Sequence, residues 1–200
     1  MRRLVETGAL RTTALDTYRP ETDRYLGPGA QEAAERLFQT DSRSALLQLR
    51  ARRAGAAAVP DEVLAATGHA VLLDSLGDWD WCAWVVHLFE KGADHRAHQR
   101  HRALADRLIR PDDTARHAAE HLGIPDLAPL WTDTPAPRDF GRLLLAAPEA
   151  DRDEALMSLL HMRHNRLFGI DPAAEARGYA VLRGAARALI GRKSHGGGGK

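Results

Sequence analysis

Ser158-Leu159-Leu160-His161-Met162-Arg163-His164-Asn165-Arg166-Leu167-Phe168-Gly169 is the stretch that decides how this chain is read. It closes a periodic run that starts near Ala150, in which Leu156, Leu160 and Leu167 recur at helical spacing and Gly169 supplies the stop. On that helix His161, Asn165 and Phe168 share a face beside the apolar one. His161 therefore sits at the border of core and cleft, where burial and neighbouring charge tune an imidazole. Spacing alone leaves two readings open, a catalytic histidine and a core-edge histidine with a satisfied hydrogen bond.

The same periodicity runs outward in both directions. Downstream, Asp171-Pro172 opens a last helix through Tyr179, Leu182 and Leu189 to about Ile190. Upstream, Pro60-Asp61-Glu62 opens a helix that reaches Leu76, and Trp81, Trp84, Val85 and Leu88 form a core stripe. Leu104, Leu108 and Ile109 mark another helix, and Ala115 to Leu122 a further one ended by Gly123. The proline-rich stretch from Pro125 to Pro137 reads as an irregular loop. Near the start, Gly27-Pro28-Gly29 is a turn before a helix over Ala30 to Leu37, and Asp41-Ser42 reads as the N-cap of a second helix to about Arg53.

Strand character is confined to Ala9–Tyr18, where Thr12, Thr13, Leu15 and Thr17 precede Pro20. A lone strand leaves backbone groups without partners, so a second strand is expected within residues 3–10, in another segment or in another chain. The chain is expected to be mostly helical, with a short strand region near the N-terminus. One domain over residues 1–192 and a flexible Gly-rich tail over 193–200 complete the organisation.

Bulk properties narrow the function. Hydrophobic content of 44% and charged content of 28% suit a soluble globular domain. A net charge of +1 with interspersed signs argues against nucleic acid and against a membrane surface. No run approaches the roughly 18 apolar residues of a membrane span. Glu6 interrupts the N-terminal stretch before it becomes an export signal, and the single Cys82 forms no internal disulfide, which together point to a reducing, cytoplasmic setting.

Three histidine groups raise the question of a metal. His95, His98 and His101 lie among Arg96, Arg100 and Arg102, whose charge opposes a dication, so a solvated helix face is the expected account. His117-Ala118-Ala119-Glu120-His121 matches a short zinc-peptidase pattern that also arises by chance on an exposed helix with charge pairs. His161 and His164 form the third group, beside Arg163 and Arg166. No metal site is expected. Near the N-terminus Glu21 and Arg24 stand three residues apart, a spacing that can hold a guanidinium fork ready for a carboxylate or make a plain surface ion pair. Tyr18 and Tyr25 bracket that pair.

At these residues the sequence resembles a known family. Tyr18-x-Pro20-Glu21-x-x-Arg24-Tyr25, a glycine turn, Ala33-Ala34-Glu35-Arg36-Leu37-Phe38 and Asp41-Ser42 look like the C-terminal domain of class I lantibiotic dehydratases. That domain also occurs alone as the thiopeptide-type bacteriocin biosynthesis protein. Ser158-Leu159-Leu160-His161-Met162, Asn165-Arg166-Leu167 and Gly169 match the family's second signature, and the similarity runs from about Leu15 to about Ile190. The resemblance implies an α+β domain that eliminates glutamate from glutamylated Ser or Thr of a precursor peptide, leaving dehydroamino acids. Alternatives within its reach are a pyridine-forming cyclase and a non-catalytic subunit that binds the precursor peptide.

By the same resemblance His161 is the acid/base, Arg24 holds the leaving glutamate or the enolate, and Glu21 orients Arg24. Tyr18, Tyr25, Asn165 and Arg166 contact the substrate. No metal and no organic cofactor are implied. The implied partners are the precursor peptide and a glutamylating dehydratase subunit, with a homodimer as a further expectation. Two departures stand out: Leu26 occupies a position where the family places glycine, and the family's strand-rich upstream half with its further arginines is not matched here.

Overall fold

The computed structural model describes residues 23–55, 59–89, 95–110 and 113–196, and every regular element among them is helical. Two 3-10 turns, Asp23–Tyr25 and Pro28–Ala30, lead into α1 (Gln31–Arg53) and α2 (Asp61–Ser75). Then come α3 (Trp81–Leu88), α4 (His95–Leu108), α5 (Thr114–Leu122), α6 (Leu127–Thr132) and α7 (Ala136–Ala146). The long pair α8 (Glu149–Phe168) and α9 (Pro172–Gly196) ends the described chain. The α+β expectation is thus corrected: the described residues form an all-α fold without a strand. Their helices close the core against one another, so no sheet is needed to cover an apolar face. The strand expected over Ala9–Tyr18 lies outside the described residues, as do Tyr18 and Glu21.

α2 is the central helix. Every residue from Val63 to Leu73 is buried, so its sequence is apolar all round instead of striped, as a fully enclosed helix requires. α9 lies along α2, α3 and α4, while α8 packs on α1, α2, α7 and the Asp23–Tyr25 turn. Gly178 brings α9 close to α2, because a Cβ there would meet Ala65 at 3.1 Å. Gly141 brings α7 against the backbone carbonyl of Leu76, a contact that no side chain could share. Helix ends follow the expected chemistry. The Asp80 and Asp113 side chains accept from Ala83 and Arg116 backbone N–H groups, and Gly123 closes α5 at φ 65°.

Three local expectations change. Asp41 caps nothing, because α1 runs unbroken through it; its carboxylate instead reaches across to Arg163 and Arg166 of α8. Residues 125–137 are not an irregular loop, since α6 and the start of α7 occupy them. Their prolines are tolerated near helix starts, where a missing N–H costs nothing: Pro135 is the N-cap of α7 and Pro137 lies in its first turn. His98 and His101 of α4 do not lie on a solvated face; His98 packs on Gly184 of α9, and His101 Nε2 lies 3.0 Å from Glu62 Oε1. Leu26, one of the two departures from the resemblance, sits at φ 70°, in the left-handed region. No helix among the described residues is long and apolar enough to cross a membrane.

Candidate active site at the α8–α9 junction

α8 presents His161 and Asn165 one turn apart on the same face. Gly169, at φ 75°, ends that helix, and the Asp171 side chain accepts from the N–H groups of Ala173 and Ala174 at 3.0 Å to start α9. The tight reversal brings Glu175 and Tyr179, one turn apart on α9, beside His161. Nδ1 of His161 lies 2.9 Å from Oε1 and 3.1 Å from Oε2 of Glu175. Tyr179 donates its hydroxyl to Glu175 Oε1 at 2.6 Å, and Asn165 Nδ2 lies 2.9 Å from His161 Nε2.

These contacts fit one tautomer. Nδ1–H donates to the carboxylate, while the Nε2 lone pair accepts from the Asn165 amide. Glu175 is 9% exposed, so a neighbouring hydroxyl and a ring N–H replace the water it has lost. The imidazole itself is about half exposed, at 48% of its side-chain surface. The arrangement is a buried carboxylate orienting a solvent-accessible base.

Behind it runs an aromatic stack. Tyr179 lies between Phe89, at 4.6 Å between ring centroids, and His69 of α2, at 5.4 Å. Burial raises the Tyr179 hydroxyl pKa far above its usual value, and the hydrogen bond to Glu175 adds to the effect, so it stays a donor. His69 is fully buried and neither ring nitrogen has a partner among the described residues. Burial drives its pKa from 6.5 down to about 3, and nearby His164 adds to the shift. His164, itself buried, is lowered first by burial, against the opposing pull of Glu175 and Asp171.

This has a consequence for pH. Between about pH 6.5 and 3 the unfolded chain holds a proton on His69 that the folded chain does not. Stability is therefore complete above pH 6.5 and falls as pH drops towards 3, by up to about 1.4 kcal/mol per pH unit from this group. Urea midpoints recorded between pH 7 and 4 check it. In His69→Phe the slope should shrink to what His164 and the carboxylates contribute, and an undiminished slope would contradict the assignment.

Beneath the site α8 is pinned to α1. Asp41, 3% exposed, accepts from Arg163 Nη1 and, at 2.7 Å, from Arg166 Nη1. The Arg163 guanidinium lies over the Trp131 ring at 5.0 Å, and Arg166 lies over Phe38 at the same distance. Gly68 of α2 gives Arg163 its space, since a Cβ there would sit 2.6 Å from Nη2. Burial lowers the Arg163 pKa to about 9 and adjacent Arg166 lowers it too, yet the group remains cationic at neutral pH.

The residues expected from sequence are placed as follows. His161 and Asn165 are in contact. Arg166 is held by Asp41 and Phe38. Tyr25 is 4% exposed and packs edge-on against Phe38 at 5.0 Å, in the turn that lies on α8. Arg24 is on that same turn and is exposed. Glu21 and Tyr18 lie outside the described residues. Sequence reading missed Glu175 and Tyr179, although their four-residue spacing just past the Asp171 cap was the available signal. Among the described residues no three His, Cys, Asp or Glu side chains gather as a metal site.

No curated protein and no solved structure matches this chain. The family model described as the lantibiotic biosynthesis dehydratase C-terminal domain matches residues 1–186, and the chain belongs to that family of lantibiotic biosynthesis domains.

Proposed function

We propose that this chain carries out the elimination step of lanthipeptide maturation, with His161 as the base. The observation that supports this most is the His161–Glu175 pair, which leaves Nε2 as a proton acceptor on an accessible side chain. In this reading Nε2 takes the Cα proton of a glutamylated Ser or Thr, and the C–H electron pair becomes the Cα=Cβ bond. The bond from Cβ to the ester oxygen breaks, and glutamate departs as a carboxylate with that electron pair. Developing negative charge at the enolate and on the departing glutamate calls for a cation. Arg24, on the turn against α8, takes that part, with Glu21 assigned to orient it and Tyr18 to contact the substrate. Asn165 moves off Nε2 as substrate enters, and Tyr25 and Arg166 hold the turn in place. A separate dehydratase subunit supplies the glutamylated precursor peptide.

The direct test incubates the purified chain with a glutamylated precursor peptide and follows its mass. Each turnover should remove one glutamate and leave one dehydrated residue. Intact glutamylated peptide would overturn the reading, and a cyclised product would replace it with ring formation.

A further inference from the structure

A second cleft lies on the other side of α9, where that helix packs along α4. Gly184 admits the imidazole of His98 there, since a Cβ at that position would collide with the ring. Around this contact His98, Gln99, Arg102, Arg183 and Arg187 line a space of about 300 Å³. Three guanidinium groups face it, and no carboxylate is in the lining. Arg102 is partly compensated by Asp106, whose Oδ2 lies 3.7 Å from its Nε. Among the described residues neither Arg183 nor Arg187 has an acidic partner. Arg183 is only 4% exposed, and its Nε lacks a hydrogen-bond acceptor; Nε2 of His98 also lacks a partner.

A guanidinium is costly to bury without a counter-charge. We infer that the cleft between α4 and α9 binds a phosphate-type oxyanion. Two uncompensated guanidiniums match a dianion, whereas a lone carboxylate would neutralise one of them. A tetrahedral phosphate offers acceptors in several directions, which suits planar forks arriving from both helices. The volume falls at the lower end of small-molecule sites and leaves room for the substituent of a phosphate monoester. None of these residues belongs to the His161 site, so this inference stands or falls apart from the elimination reading.

Calorimetric titration of the full chain at constant ionic strength tests it, with inorganic phosphate, glycerol 3-phosphate and glutamate as probes. Inorganic phosphate or the monoester should bind one to one. Arg183→Met and Arg187→Gln should each weaken that binding by about tenfold or more, as expected for a lost charged hydrogen bond. Arg187 is exposed, so Arg187→Gln keeps the test meaningful even where Arg183→Met fails to fold. Tighter binding of the ester would assign a phosphorylated small molecule, and tighter binding of the free ion would assign phosphate itself. The inference is overturned if neither phosphate probe binds, if Arg187→Gln binds like the parent, or if glutamate binds as tightly.

Discussion

His161→Ala should lower the rate of glutamate elimination by about 10²–10⁴-fold, the usual contribution of a positioned general base. The side chain is half exposed, so its removal opens no cavity in the core and lets water take the place of its N–H at Glu175; the urea midpoint should barely move. That separates a chemical role from a structural one. Glu175→Gln probes the same base from behind. A glutamine has one carbonyl oxygen for two donors, Nδ1–H of His161 and the hydroxyl of Tyr179. Where its amide NH₂ faces the ring, the imidazole must switch tautomer and Nε2 gains the proton it should be accepting. The rate should fall by at least about tenfold, as for other partners that orient an imidazole. Single-turnover mass spectrometry on a glutamylated peptide reads both variants. Parent-like rates in His161→Ala would remove this histidine from the chemistry altogether.

The uneven legibility of the chain follows from what sequence spacing encodes. α8 was readable because Leu156, Leu160 and Leu167 share a face, and all three prove buried. Of the stripe Trp81, Trp84, Val85 and Leu88, Trp81 and Val85 are buried, while Trp84 packs part-buried against the core and Leu88 is only half-buried. Periodicity says which face turns inward, but it is silent on what a polar group on that face meets. Asp41 looked like a cap because aspartate beside serine usually caps, and nothing local disclosed two arginines more than a hundred residues away. His98 looked solvated among its arginines, yet the absent Cβ of Gly184 opens a seat for it on α9. Glu175 was missed because its meaning depends on the tight turn at Gly169, which sets the register of α9 against α8. The α+β expectation came from the first twenty residues and the resemblance, and the described helices enclose their core without a sheet.

Asp41→Asn should destabilise the fold by about 3–5 kcal/mol, the usual cost of leaving a buried charge without its partner. Two guanidiniums lose the one carboxylate that pairs with them among the described residues, and Arg163, 3% exposed between Trp131 and Gly68, cannot turn to water. An amide can still accept a hydrogen bond, but it carries no charge to balance the pair. Such a loss is a large share of the roughly 5–15 kcal/mol that holds a domain folded. The exposed Arg36–Glu32 pair on the same helix makes the contrast: Arg36→Ala should cost no more than about 1 kcal/mol. Urea denaturation with an unchanged slope measures both. If Asp41→Asn unfolds at the parent midpoint, the network is not what fastens α8 to α1. The consequence then reaches the active site, because the face of α8 opposite this anchor carries His161. With the anchor in place, the imidazole meets Glu175 on a helix whose rotation is fixed. In the Asn variant, at temperatures where it remains folded, elimination should slow together with the loss of stability, whereas His161→Ala slows it alone.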